Sequence, residues 1–431
     1  MNHPDYSRAV KHITPEMVRD TLIEMVDIAS PTGREGAMAE YLVHRLRKAG
    51  FDAYLQEVSA NRPNAVGVRP GSGDGINLLF TGHMDTSYDG DEDYLEGEGF
   101  KAKGVLRDGW IWGLGANNMK SGLASALVAI EAIAREGIEL KGDLLFGGVV
   151  GETEKAPVDE FRSESTAGYG VGTRYMVLHG ITADYSILAE PTGLRVCTAN
   201  MGVVWAKLTL GGTVSHAAFS RNPSVVNAIQ EMHALQASLA KWIEDYEAAH
   251  QYMGEHPNVT IAAIRGGMPW RLARNPFECS LYLDIRTVPG QTADEVKRSL
   301  RKALRAHARS RGSPEPRLEF FVTDPATTIA EDESVTKVVC EAHRRVTGKD
   351  APLIIRRPGA DSTHLNRYDV PCIVYGPGGR THPDARGLMH AVGEHVHVED
   401  LHTASRVYLD AALTLCSLPA SARRPMKAAA A

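Results

Sequence analysis

The chain has 431 residues, 43% hydrophobic and 23% charged, enough for two or three domains with their own cores. A formal net charge of -6 argues against nucleic acid as the main partner, because phosphate binding wants a basic face. Five scattered cysteines, odd in number and without a Cys-x-x-Cys pair, exclude a disulfide framework and a structural zinc site. No apolar run reaches membrane-spanning length, and the opening MNHPDYSRAVKH carries no apolar signal core, so the expectation is a cytoplasmic protein with no membrane partner.

Pro15 and Glu16 open a helix pattern carrying Val18, Leu22, Met25 and Val26. SPTGRE (Ser30 to Glu35) breaks it, and a second helix runs from Ala37 to Ala49 before Gly50. Short apolar strand signals then alternate with helices. Ile76 to His83 and Asp143 to Glu152 read as buried strands flanking a helix from Lys120 to Glu136, and Asp184 to Ala189 reads as another strand. Such alternation predicts a mostly parallel sheet covered on both faces, an α/β fold. Near residue 198 the pattern changes. Strands at Met201–Gly212, Phe277–Arg286 and Leu318–Val322 alternate with helices at Ser224–Tyr246 and Ala293–Arg311, a smaller α+β module inserted into the first domain. The first pattern resumes with helix Ser334–Val346 and strand Pro371–Gly379. The expected division is 1–197 and 326–420 for the main domain, 198–325 for the insertion and 421–431 for a frayed tail holding Arg423, Arg424 and Lys427.

Ligand-type side chains fall at the C-terminal ends of the predicted strands, where open α/β sheets place their sites. His83 and Asp85 close one strand in TGHMDT; alone, such a pair is also a common satisfied loop. GLGANNMKSG carries Asn117 and Asn118 ahead of a helix, with neither P-loop nor dinucleotide spacing. Glu152 and Glu154 follow the next strand in GETEK, where one could ligate a metal while the other serves as base. Glu190 ends a further strand in AEPT, and His390 sits beside Glu394 in GLMHAVGEHVHVED. With 17 histidines in the chain, any one of them is weak evidence; the argument rests on the set. Imidazole with carboxylates suits zinc, manganese or cobalt better than copper or calcium. No Gly-x-Ser-x-Gly elbow supports a serine hydrolase.

These five segments, in this order, resemble the metallopeptidase family of aminoacylases, acetylornithine deacetylases, succinyl-diaminopimelate desuccinylases and glutamate carboxypeptidases. The likeness runs from SPTGRE to VHVEDL, nearly the whole chain. It implies a catalytic α/β domain with an inserted lid that dimerises, and a metal-dependent hydrolase cutting a C–N bond in a small carboxylate-bearing substrate. It implies His83 and Glu190 on one metal, His390 on another, the residue at 118 bridging them, and Asp85 orienting His83. His216 in GGTVSHAAF would polarise the scissile group. Arg286 and the turn Gly376 to Gly379, with Gly376 and Gly378, fall where substrate contacts lie.

Three departures bear on this. The bridging position, normally Asp, holds Asn118, and a neutral amide cannot offset two dications; one tightly held metal with a weak second position is expected. The adjacent Glu-Glu pair has become Glu152-Thr153-Glu154; Glu152 is assigned as base and Glu154 as ligand, although the spacing leaves these roles exchangeable. The lid's usual Asn position is Ala273, with Asn275 directly before Pro276, as the nearest replacement for a substrate contact. The resemblance extends to an aminohydrolase that exchanges the amine of 5-nitroanthranilate for hydroxyl, where charge spreads into the ring and a second metal is less needed. A non-catalytic binding protein on the same fold is the competing class; tight metal binding without turnover would mark it.

Overall fold

A computed structural model describes residues 3–153, 157–385 and 393–423. Contacts divide the chain into two units, Met1–Thr198 with Thr328–Ile354 and Ala360–Ala431, and Ala199–Thr327 with Ile355–Gly359. The short return to the second unit at Ile355–Gly359 falls inside a stretch with no composition break to mark it.

The first unit is built on a nine-stranded mixed sheet. Its centre runs Leu144–Val149, Leu78–His83, Tyr185–Leu188 and Cys372–Val374, all parallel to their neighbours. On either side of these four strands the pairing turns antiparallel. Arg62–Arg69 joins Leu144–Val149 antiparallel and is itself paired antiparallel with Asp52–Ser59, while Val196–Asn200 meets Cys372–Val374 antiparallel. The central strands are apolar and buried along their length, as a sheet covered on both faces requires. The strand Arg62–Arg69 buries Arg62 and Asn64 instead of an apolar run, which hides it from a hydrophobicity pattern. Arg62 is neutralised there by Glu35, at 2.6 and 3.1 Å.

Helix Pro15–Val26 starts on a Thr14 cap whose side chain accepts the Met17 N–H, with Pro15 in the first turn. Helix Lys120–Arg135 is buried on nearly every face, so its Ala, Ser and Gly side chains allow close approach of neighbouring backbone. It contacts helices Pro15–Val26 and Val398–Leu415. The core joins Leu22, Met25, Leu42, Phe80, Leu127, Phe146, Ile187, Ile373 and Leu409.

The second unit is a four-stranded antiparallel sheet in the order Val259–Gly266, Glu278–Thr287, Gly202–Gly211, Arg317–Asp324. Helices Ala228–Ala249 and Ala293–Arg311 supply Leu235, Leu239, Leu300 and Leu304 to a core with Val204, Leu208, Leu281 and Leu283. Thr292 and Glu295 form a reciprocal capping box, and Gly312 ends that helix at φ 62°.

The tail expected to fray from 421 is held at its start. Ala420–Ala422 forms a 3-10 turn, and the Arg423 guanidinium lies 3.4 Å from Asp184 and 3.5 Å from Asp369. Arg424 and Lys427 lie outside the described residues. Among the described residues, no helix is long and apolar enough to cross a membrane.

Candidate metal centre

Three adjacent parallel strands end together, because Leu78–His83 pairs His83 with Val149 on one side and Thr81 with Leu188 on the other. The residues just past these ends are therefore neighbours: His83 itself, Glu152 and Glu190. One ligand atom from each lies within 4.8 Å of the others. His83 and Glu190 are fully buried, and the Glu152 side chain is 15% exposed.

The imidazole of His83 has a defined tautomer. Its Nδ1 lies 2.9 Å from the Asp85 carbonyl oxygen, which can only accept, so Nδ1 carries the proton and Nε2 of the neutral ring presents a lone pair. That lone pair faces Asn118 Oδ1 at 3.2 Å and Glu152 Oε2 at 3.6 Å. Acceptors facing acceptors in a buried site call for a cation. Ligands about 2.1 Å from a tetrahedral ion stand roughly 3.4 Å apart, close to both separations. The donor set thus fits a divalent transition metal.

Asn118 is set by its backbone. Glu394 Oε2 accepts the N–H groups of Asn117 and Asn118 at 3.1 and 2.8 Å, and burial raises the Glu394 carboxyl above its ordinary range. Lys120 follows, with its ammonium donating to the carbonyls of Met25 and Ile28 at 3.0 and 2.7 Å. Burial brings its pKa down to about 7, against the pull of Glu394 and Asp85. Glu394 shares its sequence segment with His390; the double backbone contact that makes it useful depends on a loop more than 270 residues away.

Asp85 differs from its expected role. Its carboxylate Oδ1 stands 3.6 Å from His83 Nδ1, while the backbone carbonyl holds the ring. The carboxylate is taken by four other donors: Glu152 N–H on Oδ1 at 3.0 Å, and on Oδ2 the Thr153 N–H at 3.0 Å, the Thr153 hydroxyl at 2.6 Å and the Thr32 hydroxyl at 2.9 Å. A carboxylate accepts about four hydrogen bonds, so its capacity is filled. Behind Glu190, burial pushes the Asp361 carboxyl up to about 7 despite a 2.6 Å hydrogen bond from the Thr173 hydroxyl.

The glycine turn brings loops together rather than lying open. A Cβ on Gly376 would meet the Ala189 and Glu190 carbonyls at 2.6 Å, and one on Gly378, at φ 80°, would meet Asn117 Oδ1 at 2.7 Å. Gly379 N–H also donates to Asn117 Oδ1 at 2.8 Å. Glu154 and His390 lie outside the described residues.

In the second unit, His216 is exposed and its Nδ1 accepts the Ala218 N–H at 3.1 Å, which puts the proton of the neutral ring on Nε2, the tautomer able to donate to an oxyanion. Arg286 is engaged by Asp284 through two contacts of 2.7 Å, so it offers a substrate carboxylate less than its position implies. Asn275 is buried, and its amide N–H groups donate to the carbonyls of Thr213 and Val226 at 2.7 and 2.8 Å. It staples that loop instead of presenting donors to a substrate.

Residues 79–414 match the model of peptidase family M20/M25/M40. The chain is 26% identical over 427 residues to an N-formyl-4-amino-5-aminomethyl-2-methylpyrimidine deformylase of Bacillus subtilis (strain 168), covering 92% of this chain and 93% of the relative. It is 26% identical over 412 residues to an acetylornithine deacetylase of Myxococcus xanthus, covering 93% and 97%. Among solved structures, a tripeptidase of Staphylococcus aureus subsp. aureus Mu50 matches with a TM-score of 0.73 at 19% identity, over 94% of this chain and 99% of that one.

Proposed function

We propose, from the premise that this chain belongs to peptidase family M20/M25/M40, that it hydrolyses the amide C–N bond of a small carboxylate-bearing substrate with Glu152 as general base. It is, like its relatives, a metal-dependent hydrolase acting on C–N bonds. The observation that carries the finer reading is the facing of the His83 Nε2 lone pair, Glu152 and Glu190 within 4.8 Å.

His83 and Glu190 would hold the metal, whose identity we place among zinc, manganese and cobalt from the nitrogen and oxygen donors. When bound, such an ion supplies the Lewis acidity that brings the pKa of a water toward neutrality. Glu152, partly open to solvent, takes a proton from the attacking water and returns it to the leaving nitrogen. The family resemblance assigns His216 to polarising the scissile group. Glu154 and His390 are assigned to a second metal position, bridged by residue 118. The carboxylate on the substrate is supported by relatives named for acetylornithine and succinyl-diaminopimelate. We also assign a homodimer through the second unit.

Asn118 favours a single tight metal, because its neutral amide faces His83 where two dications would require charge. This same feature supports a second reading, hydrolytic deamination of an electron-poor arylamine such as 5-nitroanthranilate, in which the ring takes up the negative charge. Elemental analysis of protein purified without added metal tests the site, paired with Asn118→Asp. About one ion per chain, rising toward two in the variant, is expected. Two tightly held ions in the unaltered protein would overturn the single-metal site and return the assignment to an ordinary deacylase.

A further inference from the structure

The backbone at Glu152 is held by a buried arrangement of Thr32, Asp85 and Thr153. Thr32 lies in a segment laid beside 84–86: Thr32 N–H donates to the Thr86 carbonyl at 3.3 Å, Thr86 N–H to the Ser30 carbonyl at 3.0 Å, and the Ser30 hydroxyl to the Met84 carbonyl at 2.7 Å. This brings the Thr32 hydroxyl against both Asp85 Oδ2 and the Thr153 hydroxyl. Thr153 donates twice to that same Asp85 oxygen, through N–H and hydroxyl, while the Glu152 N–H binds the other oxygen. Thr32, Asp85 and Thr153 are all at least nineteen-twentieths buried. The side chain next to Thr153 then leaves in another direction, and Glu152 Oε2 reaches within 3.6 Å of His83 Nε2.

We propose that Thr153 and Thr32 are positioning residues that act through Asp85 to aim the Glu152 carboxylate at the metal group. The inference rests on the reading of Glu152 given above. The first part of the loop after Val149 is tied elsewhere: the Val150 N–H donates to Asn64 Oδ1 at 3.0 Å, and the Val150 and Gly151 carbonyls accept the N–H groups of Gly172 and Gly170 at 3.0 and 2.9 Å. Past Gly151, at φ 63°, the N–H groups of Glu152 and Thr153 both go to Asp85. The Asp85 carboxylate fixes the Glu152–Thr153 part of that loop by closing four hydrogen bonds on it and on the Ser30–Thr32 segment. Removing one hydroxyl leaves the Thr153 N–H bond in place, so the loop loosens without losing its anchor.

The test uses Co2+ alone as probe, on the full chain, and reads the pH midpoint of its visible absorption. Glu152→Gln shifts that midpoint if Glu152 faces the metal's solvent position. Thr153→Val is expected to shift it in the same direction by about threefold in the equilibrium, the size of one lost hydrogen bond. Thr153→Ser restores the original midpoint, and Glu152→Gln combined with Thr153→Val shifts no further than Glu152→Gln alone. Thr32→Val repeats the effect and stands in if Thr153→Val does not fold. A Glu152→Gln shift with unchanged Thr153→Val and Thr32→Val, or a serine variant that fails to restore, overturns the positioning role alone. An unmoved Glu152→Gln midpoint overturns the reading of Glu152, and this inference with it.

Discussion

His364 shows how burial of a single side chain turns into a pH dependence. It is 6% exposed beside Arg174 and Arg367; burial first, then those guanidinium groups, bring its pKa down to about 4 from an ordinary 6.5. The unfolded chain accepts a proton below pH 6.5 that the folded chain refuses until about 4. Its contribution is therefore complete above 6.5 and is lost as pH falls toward 4, by about 3 kcal/mol in total. Urea unfolding of metal-free protein should show that extra loss relative to His364→Gln, measured from pH 7 to 4. Superimposable pH profiles would show that the ring titrates normally. At this scale the types of Asp85, Asn275 and Arg286 are plain in the sequence, but their occupancy is not. Each is engaged by groups that the fold delivers, and only the folded chain reveals which those are.

The elements around the site depend on close backbone approach. Gly122, in the first turn of helix Lys120–Arg135, sits so near the end of strand Tyr185–Leu188 that an added Cβ would lie 1.7 Å from the Ala189 carbonyl oxygen and 2.7 Å from its carbon. Ala189 leads into Glu190, so helix and ligand must move together. Gly122→Ala should cost about 1–3 kcal/mol or more in urea unfolding and weaken Co2+ binding as Glu190 shifts. Gly211→Ala, where nothing lies within 4 Å, should do neither; equal behaviour of the two variants would deny the contact its importance. The helices and central strands were legible because their apolar runs are continuous or have helical spacing. Asp52–Ser59, Arg62–Arg69 and Val259–Gly266 were not. The first two mix polar with apolar residues, and the third is exposed along almost all of its length.

At the level of the whole molecule, Val259–Gly266 is an edge strand of the second unit's sheet, with Ile261 and Ile264 40% and 54% exposed. Unpaired, apolar edges are templates for another chain, which supports pairing with a second copy there. Light scattering on the unaltered protein should give the mass of a dimer, and Ile264→Lys should give that of a monomer with its fold retained. A monomeric unaltered protein at micromolar concentration would rule out this use of the edge.

Alternation of strand and helix, an inserted module, and ligand-type residues at strand ends were determined by the sequence itself, because periodicity and residue chemistry are local properties of a chain. So was the neutral amide at position 118, a matter of residue identity. Tertiary structure decided the rest. It flanked the four parallel central strands with antiparallel pairings, gave the holding of His83 to a backbone carbonyl instead of a carboxylate, and turned Asp85 toward Thr32, Glu152 and Thr153. It also brought Glu394 beneath Asn118. The physical reason is that a hydrogen bond is settled by which groups meet in space: apart from the Asp85 carbonyl, two residues from His83, the groups that hold Asp85 and Asn118 come from segments separated by tens to hundreds of residues.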